Sequence, residues 1–373
     1  MNKKLLAVAL ATAFAAPAMA EGVQIYGAFD VGVLTRGGGN DARDTHTAVS
    51  SAMNGHNFIG FKMSEDLGNG LTIAGDAQFG FNLDSGDGTS GGTFINSGTS
   101  GSSLRTITST LALIGDHGVL VAGRTGGARA AWIKKYDPFG GFGAARAQQG
   151  GEDYANNVIA WVTPEIMPGL KGLAAYTTSL DYQDSARLKN NTGSLYALAL
   201  MYDQGPASAV VNYEVLKNTG LIATESNFKV MTVGASYDFG VVKVMGFYDQ
   251  LTNLLNGWQV GAAAPVTDRL TVKAGYSSQN LAGIGRRGAD AECNKWGVGG
   301  TYDISKRTRF YADYGNFSED ANHTCGITTY GGGLGGMSGS DGHSAGSGGL
   351  LSAGSGTGAY GRWGFDAGIR HSF

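Results

Sequence analysis

The chain ends in the stretch Trp363-Gly364-Phe365-Asp366-Ala367-Gly368-Ile369-Arg370-His371-Ser372-Phe373. Successive side chains of a β-strand point to opposite sides, so this stretch has two different faces. One face is mostly apolar, with Trp363, Phe365, Ala367, Ile369, His371 and Phe373, and the other carries Asp366, Gly368, Arg370 and Ser372. An extended segment of this length spans the apolar core of a bilayer when it is tilted. The pattern therefore predicts the closing strand of a transmembrane β-barrel.

The opposite end of the chain has the form of an export signal. Lys3 and Lys4 precede a short apolar stretch from Leu5 to Ala16, and Ala18-Met19-Ala20 has the form of a cleavage site. The apolar stretch is too short to span a membrane, so residues 1–20 are predicted to be a signal peptide and 21–373 the mature domain. No later apolar run reaches the length of a transmembrane helix, which leaves a secreted soluble protein or a β-barrel of the bacterial outer membrane.

Composition favours the barrel over the soluble alternative. The chain holds 63 glycines, 16 tyrosines and 16 phenylalanines but 6 prolines among 373 residues, as many short strands, tight turns and aromatic girdles require. A soluble chain of this length would divide into domains, and no linker is visible. The formal net charge is −3 and no basic arm stands out, so nucleic acid is not an expected partner.

Amphipathic segments alternate with short turns at one end and long polar loops at the other. Val23–Leu34, Arg269–Ser277 and Arg307–Phe317 each set apolar side chains against polar ones, and a polar loop is predicted to follow the first of these strands to about Gly55. The short turns fall at Glu65–Gly70, Gly115–Gly118, Pro168-Gly169, Gln204–Pro206, Asp238–Gly240, Pro265–Asp268 and Asp303–Lys306. A β-sandwich would also alternate, but it does not explain this rhythm. The pattern predicts an all-β fold of sixteen antiparallel strands with short periplasmic turns and long external loops, among them a glycine-rich loop over 319–358.

Five motifs in order along the chain resemble the general porins of β-proteobacteria. They are Ile25-Tyr26-Gly27-Ala28-Phe29-Asp30-Val31-Gly32, Glu65-Asp66-Leu67-Gly68-Asn69-Gly70-Leu71, Gly115-Asp116 with Gly123-Arg124, Asp137-Pro138-Phe139, and Gly368-Ile369-Arg370-His371-Ser372-Phe373. The resemblance implies a homotrimeric outer-membrane channel, surrounded by lipid and lipopolysaccharide, for passive diffusion of small hydrophilic solutes and ions. It also implies that the third external loop folds into the lumen, and that Phe373 is an assembly signal for the barrel assembly machinery.

The segment 126–155 lies where that constriction loop belongs. Its charged residues Arg129, Lys134, Lys135, Asp137 and Arg146, with Asp30, Lys62, Asp76 and Arg124 on the wall, are predicted to line the constriction. The alternative is that some of these charges pair with one another or with the wall and tether the loop. Phe58, Ile107 and Ala160 occupy places where related porins often carry arginine, so we expect only slight ion selectivity.

No catalytic, cofactor-binding or metal-binding constellation stands out, because the six histidines are scattered and lack metal-type spacing. An outer-membrane barrel enzyme is therefore the weaker alternative to a channel, and a solute-specific porin is the closer one. Cys293 and Cys325 lie in predicted external loops of adjacent hairpins. Because an exported protein folds in an oxidising compartment, a disulfide between them is expected, provided that the loops bring them within bonding distance.

Overall fold

The structure is a computed structural model. It describes residues 22–37, 45–84, 105–148, 154–177, 194–222, 225–252, 255–281, 291–318 and 363–373. The predicted signal peptide (1–20) and the glycine-rich loop (319–358) lie outside the described residues.

The described chain consists of strands and one short helix. The strands are β1 (Gly22–Gly37), β2 (Thr45–Ser51), β3 (Phe58–Gly68), β4 (Leu71–Gly80), β5 (Arg105–Gly115), β6 (Gly118–Gly126), β7 (Tyr154–Val162), β8 (Leu170–Thr177), β9 (Ser194–Gln204), β10 (Ala207–Ile222), β11 (Glu225–Asp238), β12 (Lys243–Leu251), β13 (Leu255–Pro265), β14 (Leu270–Leu281), β15 (Ala291–Asp303), β16 (Thr308–Phe317) and β17 (Trp363–Ser372). The helix is α1 (Ala128–Lys135). Within the described residues, no helix is both long and apolar enough to cross a membrane.

The strands form one closed antiparallel sheet. Each strand from β3 onward pairs with the next, and β17 returns to pair with β1. β2 and β3 lie end to end against β1, β2 beside Val31–Gly37 and β3 beside Gly22–Ala28. The seventeen segments therefore make sixteen barrel strands, which confirms the predicted fold class.

The first external loop differs from the prediction. The sequence predicted a polar loop up to about Gly55, but Thr45–Ser51 is a strand paired with β1. Its threonines and Val49 favour an extended backbone even where the sequence is polar. Between β2 and β3 the chain leaves the sheet over residues 52–57, and Ala52 adopts a φ of 60°.

Alternation along the strands separates the outside of the barrel from its lumen. In β9, Leu198 and Leu200 are 61% and 55% exposed, whereas their neighbours Ala197 and Ala199 are buried against the interior. An apolar exterior is what a lipid bilayer requires of a barrel. The polar side chains of β1 and β17, Asp30 and Asp366, accordingly point inward and are fully buried.

The barrel closes where the end of the chain meets β1. Phe373 and Gly27 exchange backbone hydrogen bonds, with N–O distances of 3.1 and 3.2 Å. The Phe373 ring packs against Phe29, with centroids 5.5 Å apart. A Cβ on residue 27 would come within 2.6 Å of the Phe373 ring. Glycine at this position therefore lets the terminal aromatic ring pack against the seam.

Candidate channel constriction

The segment between β6 and β7 folds into the barrel and crosses its lumen. It begins with α1, whose sequence Ala-Arg-Ala-Ala-Trp-Ile-Lys-Lys consists largely of good helix formers, although the sequence analysis predicted no helix here. The described part of the loop ends at Gln148, which donates to the backbone oxygens of Ser277 and Cys293 on β14 and β15. The loop thus contacts the wall opposite the point where it starts.

Helix α1 is fastened to β9–β12 by ion pairs and hydrogen bonds. The Arg129 guanidinium donates to Asp249, with an Nη2–Oδ2 distance of 2.6 Å, and its backbone N–H donates to Glu214 at 2.8 Å. Lys135 forms a second ion pair with Asp203 at 2.7 Å. Buried charges are tolerated only when they are paired in this way, so α1 has a defined position on the wall.

Tyr136 follows the helix and lies on the inner surface of β11. Its hydroxyl is 2.9 Å from Ser208 Oγ, and burial raises the pKa of Tyr136 to about 12, which keeps the hydroxyl protonated. A Cβ on Gly234 would come within 2.3 Å of the Tyr136 ring. The glycine therefore makes room for the loop on the wall.

Asp137 organises the middle of the loop. Its carboxylate accepts hydrogen bonds from the backbone N–H groups of Gly141 (2.9 Å) and Ala147 (3.1 Å) and from Gln259 Nε2 (2.9 Å). The side chain is 3% exposed. The carboxylate therefore shapes the loop and attaches it to β13 rather than facing the passage.

The far part of the loop lies on β15, β16 and β17. The Ala144 N–H donates to Asp366 Oδ2 at 2.5 Å, and Lys295 Nζ donates to the Arg146 carbonyl at 2.7 Å. A Cβ on Gly315 would come within 2.0 Å of the Ala144 carbonyl oxygen. Gly315 is thus a second glycine on the inner wall that makes room for the loop. Glycines at inward positions of neighbouring strands are the sequence signal that would have located the surface on which the loop packs.

The inner wall formed by β1 and β3–β6 carries a further set of polar and cationic groups. Lys62 lies over the Tyr26 ring at 4.6 Å from its centroid, and Tyr26 donates a hydrogen bond to Asp76. Arg124 lies 4.9 Å from the centroid of the Tyr154 ring and donates to the Thr106 carbonyl at 2.9 Å. Both cationic side chains are half-buried.

Lys134 and Lys135 are both half-buried cations of the loop, but only Lys135 is ion-paired to a described residue. Lys134 Nζ lies 5.1 Å from the centroid of the Phe142 ring, and Lys134 forms no ion pair with a described residue. Contacts of a cation with an aromatic face position the cation without neutralising it. Lys62, Arg124 and Lys134 are thus each positioned by a cation–π contact with an aromatic ring.

The structure divides the predicted constriction residues into two groups. Lys62, Arg124, Lys134 and Lys135 are half-buried. Asp30, Asp76, Arg129, Asp137 and Arg146 are at most 5% exposed. The sequence predicted that this second group faces the passage, whereas the structure places it among protein groups. For the loop residues Arg129, Asp137 and Arg146, the structure thus supports the alternative that charges tether the loop.

The six residues between β2 and β3, which the sequence analysis did not single out, also enter the lumen. Asp30 accepts from the Asn54 N–H at 2.8 Å, and the Asp30 N–H donates to Asn57 Oδ1 at 2.5 Å. The His56 ring meets Phe142 of the loop edge-on, with centroids 5.1 Å apart. This segment, residues 52–57, is called the bulge below.

Two further predictions concern chemistry outside the lumen. Cys293 is buried and is not a free thiol, whereas Cys325 lies outside the described residues, so their pairing stays a prediction. Among the described residues, no group of three or more His, Cys, Asp or Glu side chains could hold a metal ion.

Comparison with known proteins identifies the family. A family model described as Gram-negative porin matches residues 7–322. The chain is 27% identical to outer membrane porin protein 32 of Delftia acidovorans, over 89% of this chain and 93% of the relative. It is 26% identical to an outer membrane porin protein of Bordetella pertussis, over 86% of this chain and 95% of the relative.

Solved porins share the fold. The anion-selective porin from Comamonas acidovorans superposes with a TM-score of 0.71 at 23% identity, covering 94% of this chain and 99% of that one. Salmonella typhi OmpF gives a TM-score of 0.67 at 16% identity, over 94% and 97%. The chain belongs to the Gram-negative porin family and forms a passive diffusion channel across the outer membrane.

Proposed function

We propose that the passage of this porin is narrowest between the in-folded loop and the inner wall of β3–β6, and that it prefers anions slightly. The observation that carries the proposal is the unequal exposure of the two signs of charge. Lys62, Arg124 and Lys134 are half-buried. Seven inward carboxylates, Asp30, Asp76, Asp137, Glu214, Asp249, Asp313 and Asp366, are at most 3% exposed, whereas Asp303, at the periplasmic end of β15, is 40% exposed and is paired with Arg309 at 3.1 Å.

Because most of the inward carboxylates are buried, a passing ion encounters mainly the half-buried cationic side chains. Charges that line a narrow, water-filled passage set ion preference, and a carboxylate beneath the loop is shielded by its own hydrogen-bond partners. Asp203 is less deeply buried, but it is bonded to Lys135. The similarity to the anion-selective Comamonas porin supports the same sign of selectivity, a preference for anions. Ile107 and Ala160, 4% and 1% exposed, add no charge where related porins often have arginine, so the preference is small.

Shortening the loop between Gly127 and Gly151 tests the position of the constriction. We expect a shortened channel that still folds to conduct more current and to select less, because the obstruction and Lys134 are both removed. Swelling of proteoliposomes in sugars of increasing size would show the same change as a larger size limit. A folded deletion variant with wild-type conductance and size limit would place the constriction elsewhere.

The proposed assembly is a homotrimer whose contact surface is the outer face of β1–β6. Each strand from β7 to β15 carries an exposed tyrosine or tryptophan, namely Trp161, Tyr176, Tyr196, Tyr213, Tyr237, Tyr248, Trp258, Tyr276, Trp296 and Tyr302. Within the described residues, the outer faces of β1–β6 have none. Such residues favour the membrane–water interface. The outer face of β7–β15 therefore faces lipid and lipopolysaccharide, and the outer face of β1–β6 faces neighbouring subunits. A compact monomer in mild detergent would count against this assembly.

The channel is proposed to be non-enzymatic, because the matched family and the named relatives are porins. Purified protein that hydrolysed ester or peptide substrates would favour the barrel-enzyme alternative instead. A solute-specific porin would show saturable conductance block by one solute, whereas a general porin passes small solutes according to size and charge.

A further inference from the structure

The bulge of residues 52–57 places a histidine inside the barrel, in contact with the in-folded loop. The chain leaves the sheet after β2 and rejoins it at β3, and the half-buried His56 lies between the wall and the loop. The carbonyl of His56 accepts a hydrogen bond from Arg370 Nη1 of β17 at 3.1 Å. The Asp30 carboxylate accepts a hydrogen bond from the nearby Asn54 N–H at 2.8 Å. The position of His56 is thus fixed from two strands.

The imidazole ring bridges the loop and the strand to which the loop returns. It meets the Phe142 ring edge-on at 5.1 Å between centroids, and its Nε2 lies 3.4 Å from the Tyr154 hydroxyl. Lys134 Nζ in turn lies 5.1 Å from the centroid of the Phe142 ring, and Arg124 Cζ lies 4.9 Å from the centroid of the Tyr154 ring. A continuous row of contacts therefore runs from Arg124 through Tyr154, His56 and Phe142 to Lys134.

Two basic side chains, Arg124 and Lys134, lie at the ends of this row and a histidine lies in its middle. Imidazole is the side chain that ordinarily changes charge between about pH 5 and about pH 8. We infer that His56 is a specificity-determining residue of this channel, which adds a third positive charge between Arg124 and Lys134 as the pH falls. This inference builds on the proposed anion preference and on the proposed position of the constriction.

Among the described residues, charged and titratable groups near His56 come from several elements. They are Arg370 of β17, Tyr154 of β7, Arg124 of β6, Lys134 of α1 and, through the bulge, Asp30 of β1. Arginine, lysine and tyrosine side chains ordinarily titrate well above this pH range. Other lumen carboxylates that lose their charge in acid also shift selectivity toward anions. The contribution of His56 must therefore be measured as the difference between the wild type and a His56 variant.

The experiment compares the permeability ratio of chloride to potassium in the wild type and in His56→Gln, in planar bilayers at about pH 8 and about pH 5.5. Glutamine keeps a polar group near Nε2 but does not titrate. We expect acid to raise the ratio by roughly two-fold more in the wild type than in the variant, the scale of one unit charge acting across a short watery distance. The matched control is His117→Gln, which alters an exposed histidine in the turn between β5 and β6 and should keep the full wild-type response.

A second variant keeps the inference falsifiable if His56→Gln does not assemble. His56→Lys should show, already at the higher pH, the ratio that the wild type reaches in acid. Equal acid responses in the wild type and His56→Gln, or a His56→Lys channel with the wild-type ratio at the higher pH, would overturn the inference. A cation-preferring wild type at the higher pH would instead contradict the proposed function, while the difference between the wild type and His56→Gln would still decide the role of His56.

Discussion

Arg129 of the in-folded loop and Asp249 of β12 form an ion pair in which the two side chains are 1% and 0% exposed. The guanidinium contacts both carboxylate oxygens, and Thr232 donates a further hydrogen bond to Asp249 at 2.9 Å. This pair joins a segment that follows β6 to a strand on another side of the barrel. The constriction is therefore built from the loop and the wall together.

Asp249→Asn should loosen the loop. The substitution leaves the buried Arg129 without its counter-charge, a change that costs about 3–5 kcal/mol in buried pairs. We expect single-channel recordings to show larger and more variable conductance, with the barrel still heat-resistant in detergent. Glu165→Gln is the control, because its contact with Lys171 is 4.0 Å long and Glu165 is exposed. Identical conductance traces for the wild type and Asp249→Asn would contradict the anchoring role.

Arg124→Ala and Lys134→Ala should each move the reversal potential toward cation preference without abolishing conductance. Each removes one charge next to the passage, which we expect to change the permeability ratio by roughly two-fold. The control is Lys229→Ala, since Lys229 is exposed on the outward side of β11, between the inward-facing Phe228 and Val230. If all three variants shifted the reversal potential equally, the position of the charge inside the barrel would be irrelevant and the proposed constriction would be wrong.

Gly315→Val should reduce single-channel conductance. The new side chain would occupy the space of the Ala144 backbone, at a cost of about 1–3 kcal/mol for overpacking, and the loop would relieve the clash by moving away from the wall into the passage. Ala312→Val, on the outward face of the same strand, provides the matched control. Unchanged conductance in Gly315→Val would mean that the loop does not lie on β16.

Phe373→Asp should impair assembly far more than it impairs conductance of the channels that do form. It removes the Phe373 ring, whose centroid lies 5.5 Å from that of Phe29, and places a charge at the lipid-facing seam. The amount of folded protein in outer-membrane fractions measures the effect. Phe239→Asp changes an equally aromatic but turn-located residue, 61% exposed, and should assemble normally. Wild-type amounts of folded Phe373→Asp would remove the basis for an assembly role.

The sequence predicted the strands well because a barrel wall alternates between lipid and water. That alternation placed Phe365 and Asp366 on opposite faces, as observed. Asn69-Gly70 likewise predicted a tight turn, and both residues have positive φ values, 52° and 77°. These signals are local, so they can be interpreted without knowing the rest of the structure.

The site was less predictable because contacts across the lumen decide it. Nothing local to Arg129 or Asp249 shows that their charges meet, since 120 residues separate them. His56 lay in a segment predicted as plain loop, and its role depends on contacts with Phe142 and Tyr154 that only the folded chain brings together. Lumen-facing glycines such as Gly315 carried usable information, because a wall position without a side chain implies that something lies against it.

The zero-current potential of the wild-type channel in a KCl gradient at neutral pH tests the central claim most directly. Half-buried Lys62, Arg124 and Lys134 beside deeply buried carboxylates predict a potential of the sign that chloride permeation produces, with a modest magnitude. A potential of the opposite sign would show that carboxylates govern the narrow part of the passage, and it would contradict the account of the constriction given above.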